Sequence, residues 1–506
     1  MKLINLSDVV GISKDLKKSN KKLILCHGSY DLLHPGHIKH LIAAKNKGDI
    51  LFVSITADQY IQKGPNRPIF NQKLRAESIA AIEAVDYVFI VDDATGIPAI
   101  NAVIPDVYVK GVEYAEPMND PTGKIRDEIV AVNQIGGEID FTDEIVFSSS
   151  KLINAHYSVY PDDVNRWLDS YRFKYSATEV LMWIEKIEKL RVIVIGESIV
   201  DEYCFCKGLG KVAKDPILAF LYEGEEKYAG GSVAVANHAS QFASSVSLIT
   251  LLGDKSRQEE FISQSLRGNI NLHAVTEHNT TTIHKKRYVD QHTGNKIFEL
   301  YSMSDLPLQA KVEDELLSVV ESQLTECDVV IIADYGHGMI TEKVANKITE
   351  SGKFIILNTQ ANAGNRGFNT LSKYSNGDYV CITGGELELE VRKKHKTHKK
   401  MLIDFANENK FKKYTITLGH VGTIHYDTDG GSYFEAPALA TKVVDRVGAG
   451  DAVLAVTGLL AACGAPQHVL ALVGNVVGAE MVKGLGNKVA IDKGHISKHI
   501  ISLLKA

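Results

Sequence analysis

Twice along the chain, short runs rich in Val, Ile and Leu alternate with helix-length amphipathic stretches, and this alternation restricts the fold more than any other feature. The first series runs from Lys21 to about Ile145: LILC (23–26), IKHLIAAKNKG, ILFVSIT (50–56), NQKLRAESIAAIEAV, YVFIV (87–91), IPAINAVIP and VYVKG (107–111). Near-continuously apolar strands separated by helices form parallel sheets through βαβ units. A charged, aromatic stretch, PDDVNRWLDSYRFKYSATEVLMWIEKIEKL, interrupts the series between about Tyr160 and Leu190. In it Val180, Leu181, Ile184 and Ile187 stand at helical spacing, which predicts a linker ending in a helix. RVIVIG (191–196) opens a second series, with VSLITLLGD, CDVVIIADYG, KFIILNT, YVCITG and YTITLG as further buried strands. The expectation is an α/β domain over 1–160, a helical linker over 161–188 and a larger α/β domain over 189–506. No shared period or motif relates the two series, so they are different folds rather than repeats.

A length of 506 residues suits such a division. The net charge of -6, with a pI near 6.3, provides no whole-protein basic field, so neither nucleic acid nor a membrane is an expected partner. No apolar run reaches the ~18–20 residues that span a bilayer, and the start MKLINLSDVVGISKDLKKSNKK lacks an apolar signal core. A cytoplasmic location is expected. Six Cys without a paired C-x-x-C fit a reducing compartment, and Cys204-x-Cys206 reads as strand alternation. The basic run from Arg392 to Lys400 follows Glu386, Glu388 and Glu390 and reads as a solvated helix face.

The run Cys26-His27-Gly28-Ser29-Tyr30-Asp31-Leu32-Leu33-His34-Pro35-Gly36-His37 follows the first strand and leads into a helix. Gly28 allows close backbone approach to a ligand, Pro35 and Gly36 shape the turn, and the helix N-terminus favours anions. His34 and His37, three residues apart, project to one side of the first helical turn. Two donors there suit a triphosphate under attack at its α-phosphorus. Capping or core histidines are the competing reading; the coincidence of strand, Gly turn, paired His and helix favours the site.

The spacing resembles the H-x-G-H signature of the nucleotidyltransferase superfamily. With Lys63-Gly64-Pro65-Asn66-Arg67-Pro68, Arg75, the PDVYVKG segment and Phe147-Ser148-Ser149-Ser150, it resembles the transferase half of the bifunctional ADP-heptose synthases. The resemblance implies a Rossmann-like domain in which His34, His37 and Lys63 serve catalysis. Gly28, Ser29, Tyr30, Arg67, Lys110, Ser148, Ser149 and Ser150 would hold the nucleotide, and Asp31 the substrate.

In the second series, Val444-Asp445-Arg446-Val447-Gly448-Ala449-Gly450-Asp451 precedes the apolar helix AVLAVTGLLAA. Small residues there leave backbone N–H groups free for a transferring phosphoryl group, and Asp451 is placed to accept a hydroxyl proton. A Gly-rich turn with Asp as a helix cap is the competing reading. The segment resembles the D-T-x-G-A-G-D signature of the ribokinase-like (PfkB) carbohydrate kinases. Ile199-Val200-Asp201, the stretch Tyr228 to Asn237, Lys286-Arg287-Tyr288, Asp334-Tyr335-Gly336-His337-Gly338 and Thr417-Leu418-Gly419-His420-Val421-Gly422 match in order. The resemblance implies Asp451 as base and Gly448, Ala449 and Gly450 as anion hole. Thr417, Gly419, Gly422 and Asn475 would lie on the nucleotide, and Asp201, Gly230, Gly231, Asn237, Arg287 and Asp334 on the sugar. Glu386 would serve the metal.

Arg446 stands where Thr is usual, and Ile382-Thr383-Gly384-Gly385-Glu386 replaces a P-N-x-x-E segment. The domain order is also the reverse of that usual in the heptose enzymes. The resemblance implies a sugar kinase fused to a sugar-phosphate nucleotidyltransferase. It would use Mg²⁺, ATP as phosphoryl donor and ATP or CTP as nucleotidyl donor, act on small sugar phosphates and form a homodimer.

Overall fold

The computed structural model describes residues 2–61, 67–112, 124–142, 159–365, 367–393, 396–488 and 490–505. The chain divides into two compact units, one of residues 1–177 with 493–506, the other of residues 178–492.

In the first unit, β1 (Leu23–Gly28), β2 (Ile50–Thr56), β3 (Tyr87–Val91), β4 (Val107–Gly111) and β5 (Glu138–Thr142) form one sheet in the order β3-β2-β1-β4-β5, parallel throughout. The pleat sends Leu23 and Leu25 of β1 to one face, with Phe52, Phe89 and Tyr108, and Ile24 and Cys26 to the other, with Leu51, Val53 and Ile55. Both faces are buried under helices, so the strands lack polar alternation. A helix over Leu6–Lys18 precedes β1 and carries an amphipathic stripe too short in apolar residues to stand out in the sequence.

The interval expected as a linker holds two helices, Asp162–Lys174 in the first unit and Ala177–Lys186, which falls almost wholly in the second. The C-terminal helix Lys493–Leu504 belongs to the first unit, where Arg172 Nε donates to Leu503 O at 2.8 Å.

The second unit carries a nine-stranded sheet in the order β10-β9-β6-β13-β14-β15-β16-β17-β18. Its strands are β6 (Arg191–Gly196), β9 (Ser245–Gly253), β10 (Ile270–Glu277), β13 (Val329–Asp334), β14 (Phe354–Thr359), β15 (Gly377–Thr383), β16 (Phe411–Thr417), β17 (Gly422–Asp427) and β18 (Ser432–Pro437). The run from β10 to β16 is parallel, and β17 and β18 add as antiparallel edge strands. One face packs a core that includes Ile193, Ile195, Val330, Ile332 and Leu357. The apolar helices Ala449–Ala462 and Gln467–Met481, buried along nearly their whole length, pack against each other and the sheet.

A separate four-stranded sheet, β12-β11-β7-β8, is built from β7 (Ser198–Lys211), β8 (Leu218–Gly231), β11 (Ile283–Asp290) and β12 (Lys296–Ser302). Cys204 and Cys206 lie on β7, both buried. The basic run is a helix face only at its end: Arg392 ends the helix Gly384–Val391 at φ 48° and is exposed with Lys393 in the connection, whereas His398, Lys399 and Lys400 form the first turn of the next helix, with both lysines exposed.

Candidate active sites

At the end of β1, His34 caps the helix Pro35–Lys45, its Nδ1 accepting from Gly36 N at 3.1 Å, with Pro35 in the first turn. The His34 and His37 rings stack at 3.9 Å between centroids, 20° apart, and the Tyr30 ring meets His37 edge-on at 5.4 Å. Burial holds the His34 imidazole below its ordinary pKa, which keeps it neutral and able to accept. Gly28 ends β1 beside the Tyr30 ring, and Tyr30 adopts φ 46°.

The loop is pinned from beneath by Arg75, 1% exposed, which donates to Ser29 O, to Thr56 O at 2.9 Å, to Phe70 O at 3.0 Å and to Asp58 at 2.6 Å. Asp31 is a brace rather than an open ligand group. Its Oδ1 accepts from Ile69 N at 2.7 Å and Phe70 N at 3.3 Å, and Arg67 lies 3.5 Å from Oδ2. Arg67 is correspondingly committed, its side chain 4% exposed against Asp31. Lys110 Nζ sits 2.8 Å from Glu128 Oε2, and Glu128 also accepts from Gly96 N at 2.7 Å and Tyr108 OH at 3.0 Å. Glu128 was invisible in the sequence because it belongs to an ordinary amphipathic helix. Lys63, Ser148, Ser149 and Ser150 lie outside the described residues.

In the second unit, Gly448 takes φ +83°, and a Cβ there would run into the Asn487 side chain, so only Gly fits. The following turn places the N–H groups of Ala449 and Gly450 at the start of a long apolar helix, an arrangement suited to an anion. Asp451 lies in this first turn with partial exposure, and Tyr335 OH donates to its Oδ1 at 2.8 Å. Packed surroundings push its carboxyl up to about 7; Asp201 adds to the rise, while Tyr335 and Lys285 oppose it.

Asp201, Gly230, Gly231 and Arg287 come together on the four-stranded sheet. Asp201 pairs with Arg287, and its other oxygen occupies the space that a Cβ on Gly230 would fill. Gly231, at φ +60°, turns the chain into the helix Ser232–Ala239, whose first N–H donates to Glu197 O at 2.9 Å. Thr417 ends β16, and the turn after it requires glycine at 422, where φ is +122° and a Cβ would strike Ala436 O.

Four expected ligand groups are committed within the protein. Asn237 points to a neighbouring loop, donating to Ser265 O at 3.0 Å and accepting from Arg267 N at 3.3 Å. Asp334 accepts from Gly336 N at 3.0 Å and Tyr374 OH at 2.6 Å and is paired with Lys373. Asn475 Nδ2 donates to Thr423 Oγ1 at 2.7 Å and Ala471 O at 2.8 Å. Glu386 closes a capping box: its Oε2 accepts from Thr383 N at 2.7 Å and its Oε1 from Ala361 N at 2.9 Å.

Glu197 and Lys285 did not stand out in the sequence, and Tyr335 and Asp445, although inside matched segments, carried no expected role. Asp445 gathers Tyr203 OH at 2.6 Å, Lys296 Nζ at 2.9 Å and Gly486 N at 3.1 Å. The sequence signal was membership of a matched segment for Asp445 and Tyr335, and proximity to one for Lys285, next to Lys286-Arg287-Tyr288, and Glu197, just before Ile199-Val200-Asp201.

The two units combine a nucleotidyltransferase-like fold with a ribokinase-like fold, each presenting a Gly-containing turn into a helix N-terminus. Residues 25–199 match the cytidylyltransferase-like family model, and residues 189–492 match that of the pfkB family carbohydrate kinases. The chain belongs to the pfkB family of carbohydrate kinases. In its N-terminal part it is similar to the bifunctional protein HldE of Methylobacillus flagellatus, 38% identical over 117 residues, which is 23% of this chain and 24% of that protein. The HldE protein of Nitratiruptor sp. is 45% identical over 105 residues, 20% of this chain and 23% of that one. These matches span about a quarter of each relative. Phosphofructokinase-2 of Escherichia coli, in complex with potassium, shares the fold at a TM-score of 0.50 and 16% identity, over 62% of this chain and 99% of its own. No helix among the described residues is long and apolar enough to cross a membrane.

Proposed function

We propose that the chain is a bifunctional enzyme that phosphorylates heptose 7-phosphate at C1 and couples heptose 1-phosphate to a nucleotide, with a separate phosphatase acting between the steps. The observation that carries the kinase half is Asp451, held by Tyr335 at the start of the glycine-led helix and poised near neutrality. As base, Asp451 takes the proton of the sugar C1 hydroxyl while that oxygen attacks the γ-phosphorus of ATP. The N–H groups of Ala449 and Gly450 stabilise the transferring group. Asp201, whose geometry is set by Arg287 and Gly230, orients sugar hydroxyls.

In the transferase half, the sugar phosphate attacks the α-phosphorus in line and pyrophosphate leaves. The stacked His34 and His37 flank the triphosphate, and Lys63 and Ser148 to Ser150 are assigned there by their motif. Mg²⁺ would neutralise phosphate charge, and Glu386, each of whose two oxygens accepts one backbone N–H group and keeps a further lone pair, is the residue that would serve it. A cytoplasmic homodimer is the proposed working form. Exposed apolar residues on the four-stranded sheet, among them Leu218, Leu221, Phe298 and Leu300, support self-association.

Two assays test the reading: ADP formation from ATP with heptose 7-phosphate, and pyrophosphate release from ATP or CTP with a panel of sugar 1-phosphates. Turnover of heptose phosphates supports it. No turnover with any heptose phosphate, alongside turnover of another sugar or polyol phosphate with CTP, replaces the substrate class.

A further inference from the structure

We propose that Tyr335 is a positioning residue for phosphoryl transfer: it engages one oxygen of Asp451, so that the other oxygen alone receives the proton of the sugar hydroxyl. The inference rests on the kinase reading and on Asp451 as its base.

The ring is 2% exposed, and the backbone that carries it is held on all sides. Tyr335 N donates to Glu197 Oε2 at 3.0 Å, and Tyr335 O accepts from Asn362 Nδ2 at 2.7 Å and Asn365 Nδ2 at 3.0 Å. On one side, Asp334 is locked by Tyr374 and Lys373. On the other, Gly336 takes φ +71° with Asn365 and Asn369 filling the space beside it, and His337 N donates to Glu197 Oε1 at 3.0 Å. The hydroxyl therefore has one place to be, 2.8 Å from Asp451 Oδ1. Burial and Asp451 keep its pKa well above the ordinary tyrosine value, so it remains a donor. No described group hydrogen-bonds Asp451 Oδ2. Besides the Tyr335 donor, the titratable groups bearing on Asp451 include Asp201 from β7, Lys285 from β11, Cys381 from β15 and Glu386 from the helix after β15.

In the step this implies, the C1 oxygen bonds to the γ-phosphorus, the bond from that phosphorus to its bridging oxygen breaks, and ADP departs. The hydroxyl proton passes to Oδ2. Tyr335 keeps its own proton throughout.

Tyr335→Phe retains the ring and deletes the donor. At pH 7 kcat is expected to fall about tenfold or more, with KM for sugar and ATP within about twofold. The donated bond stabilises the carboxylate, so its loss raises the Asp451 pKa. The acid limb of kcat should move up by about one pH unit, and activity should partly return at high pH. Infrared titration of the Asp451 carboxyl, with Asp451→Asn as the blank, reads the same shift without turnover. A wild-type limb and titration in Tyr335→Phe overturn the proposal. Phosphoryl transfer surviving in Asp451→Asn overturns instead the kinase reading on which it stands.

Discussion

Arg287 holds two carboxylates at once: its Nη1 donates to Asp201 Oδ1 and its Nε to Glu299 Oε1 at 2.9 Å, across the strands of the four-stranded sheet. The Arg287 and Asp201 side chains are 9% and 7% exposed. Removing the guanidinium strands a buried carboxylate, which costs about 3–5 kcal/mol. Arg287→Met should lower the urea midpoint of residues 178–492 accordingly and raise the sugar KM. Arg287→Lys should recover only part of either, because an ammonium lacks the planar fork that spans both partners.

Asp451 sets activity against stability. With its carboxyl pushed up to about 7, kinase activity should rise as pH passes through 7 and fall away in acid. Asp451→Asn should lower kcat by roughly 10²–10⁴-fold. The folded pKa lies above the unfolded one, so ionising Asp451 costs stability, and that cost grows from about pH 4 to pH 7 and is complete above. Asp451→Asn should therefore stabilise the second unit at pH 8, by at most about 2 kcal/mol because the carboxylate keeps some solvent, and be neutral below pH 4. Thermal melts at the two pH values measure the difference.

His34 both caps a helix and faces the proposed triphosphate, and two substitutions separate these tasks. His34→Ala should cost about 0.5–2 kcal/mol of first-unit stability and abolish pyrophosphate release. His34→Asn should keep most of the cap while still losing turnover. Equal stability loss in both variants, by urea titration, would contradict the capping role.

Glu128 is the counter-charge of Lys110 and also supports Gly96 and Tyr108. Burial pushes its pKa up, but Lys110, His27 and its hydrogen bonds outweigh this and leave it below the ordinary glutamate value. Its stabilisation is thus present above about pH 4.5 and lost as pH falls. Glu128→Gln should destabilise the first unit at pH 7 by about 3–5 kcal/mol, with less effect at pH 3, read by denaturation at both pH values.

The parallel sheets were legible because their strands are buried on both faces: ILFVSIT and VVIIAD admit no other reading at that length. The glycine positions were legible too, since Gly448 and Gly422 sit where a side chain meets Asn487 or Ala436. What the sequence concealed is direction. Asn237 and Asp334 fall in the right segments, yet their polar atoms serve Ser265 and Tyr374. Tyr335 and Glu197 lie 138 positions apart and meet only through the sheet order that sets β6 beside β13. The C-terminal helix, amphipathic and ordinary in composition, carries no sign that its partner is Arg172.

Deleting residues 493–506 should impair the nucleotidyltransferase activity and stability of the first unit while sparing phosphoryl transfer, because the C-terminal helix packs with the first unit. Paired assays of pyrophosphate and ADP release on the truncated chain check this. Losses confined to the kinase would contradict it.

That placement also bears on synthesis. A ribosome adding about 5–20 residues per second needs roughly 15–60 s to translate residues 178–492. For that interval the first unit waits, lacking its last helix, while the intervening unit emerges and folds. A chain interrupted anywhere in between leaves the first unit without the helix that Arg172 holds at Leu503. Because one polypeptide carries both units, completion of the first waits on translation of the whole of the second.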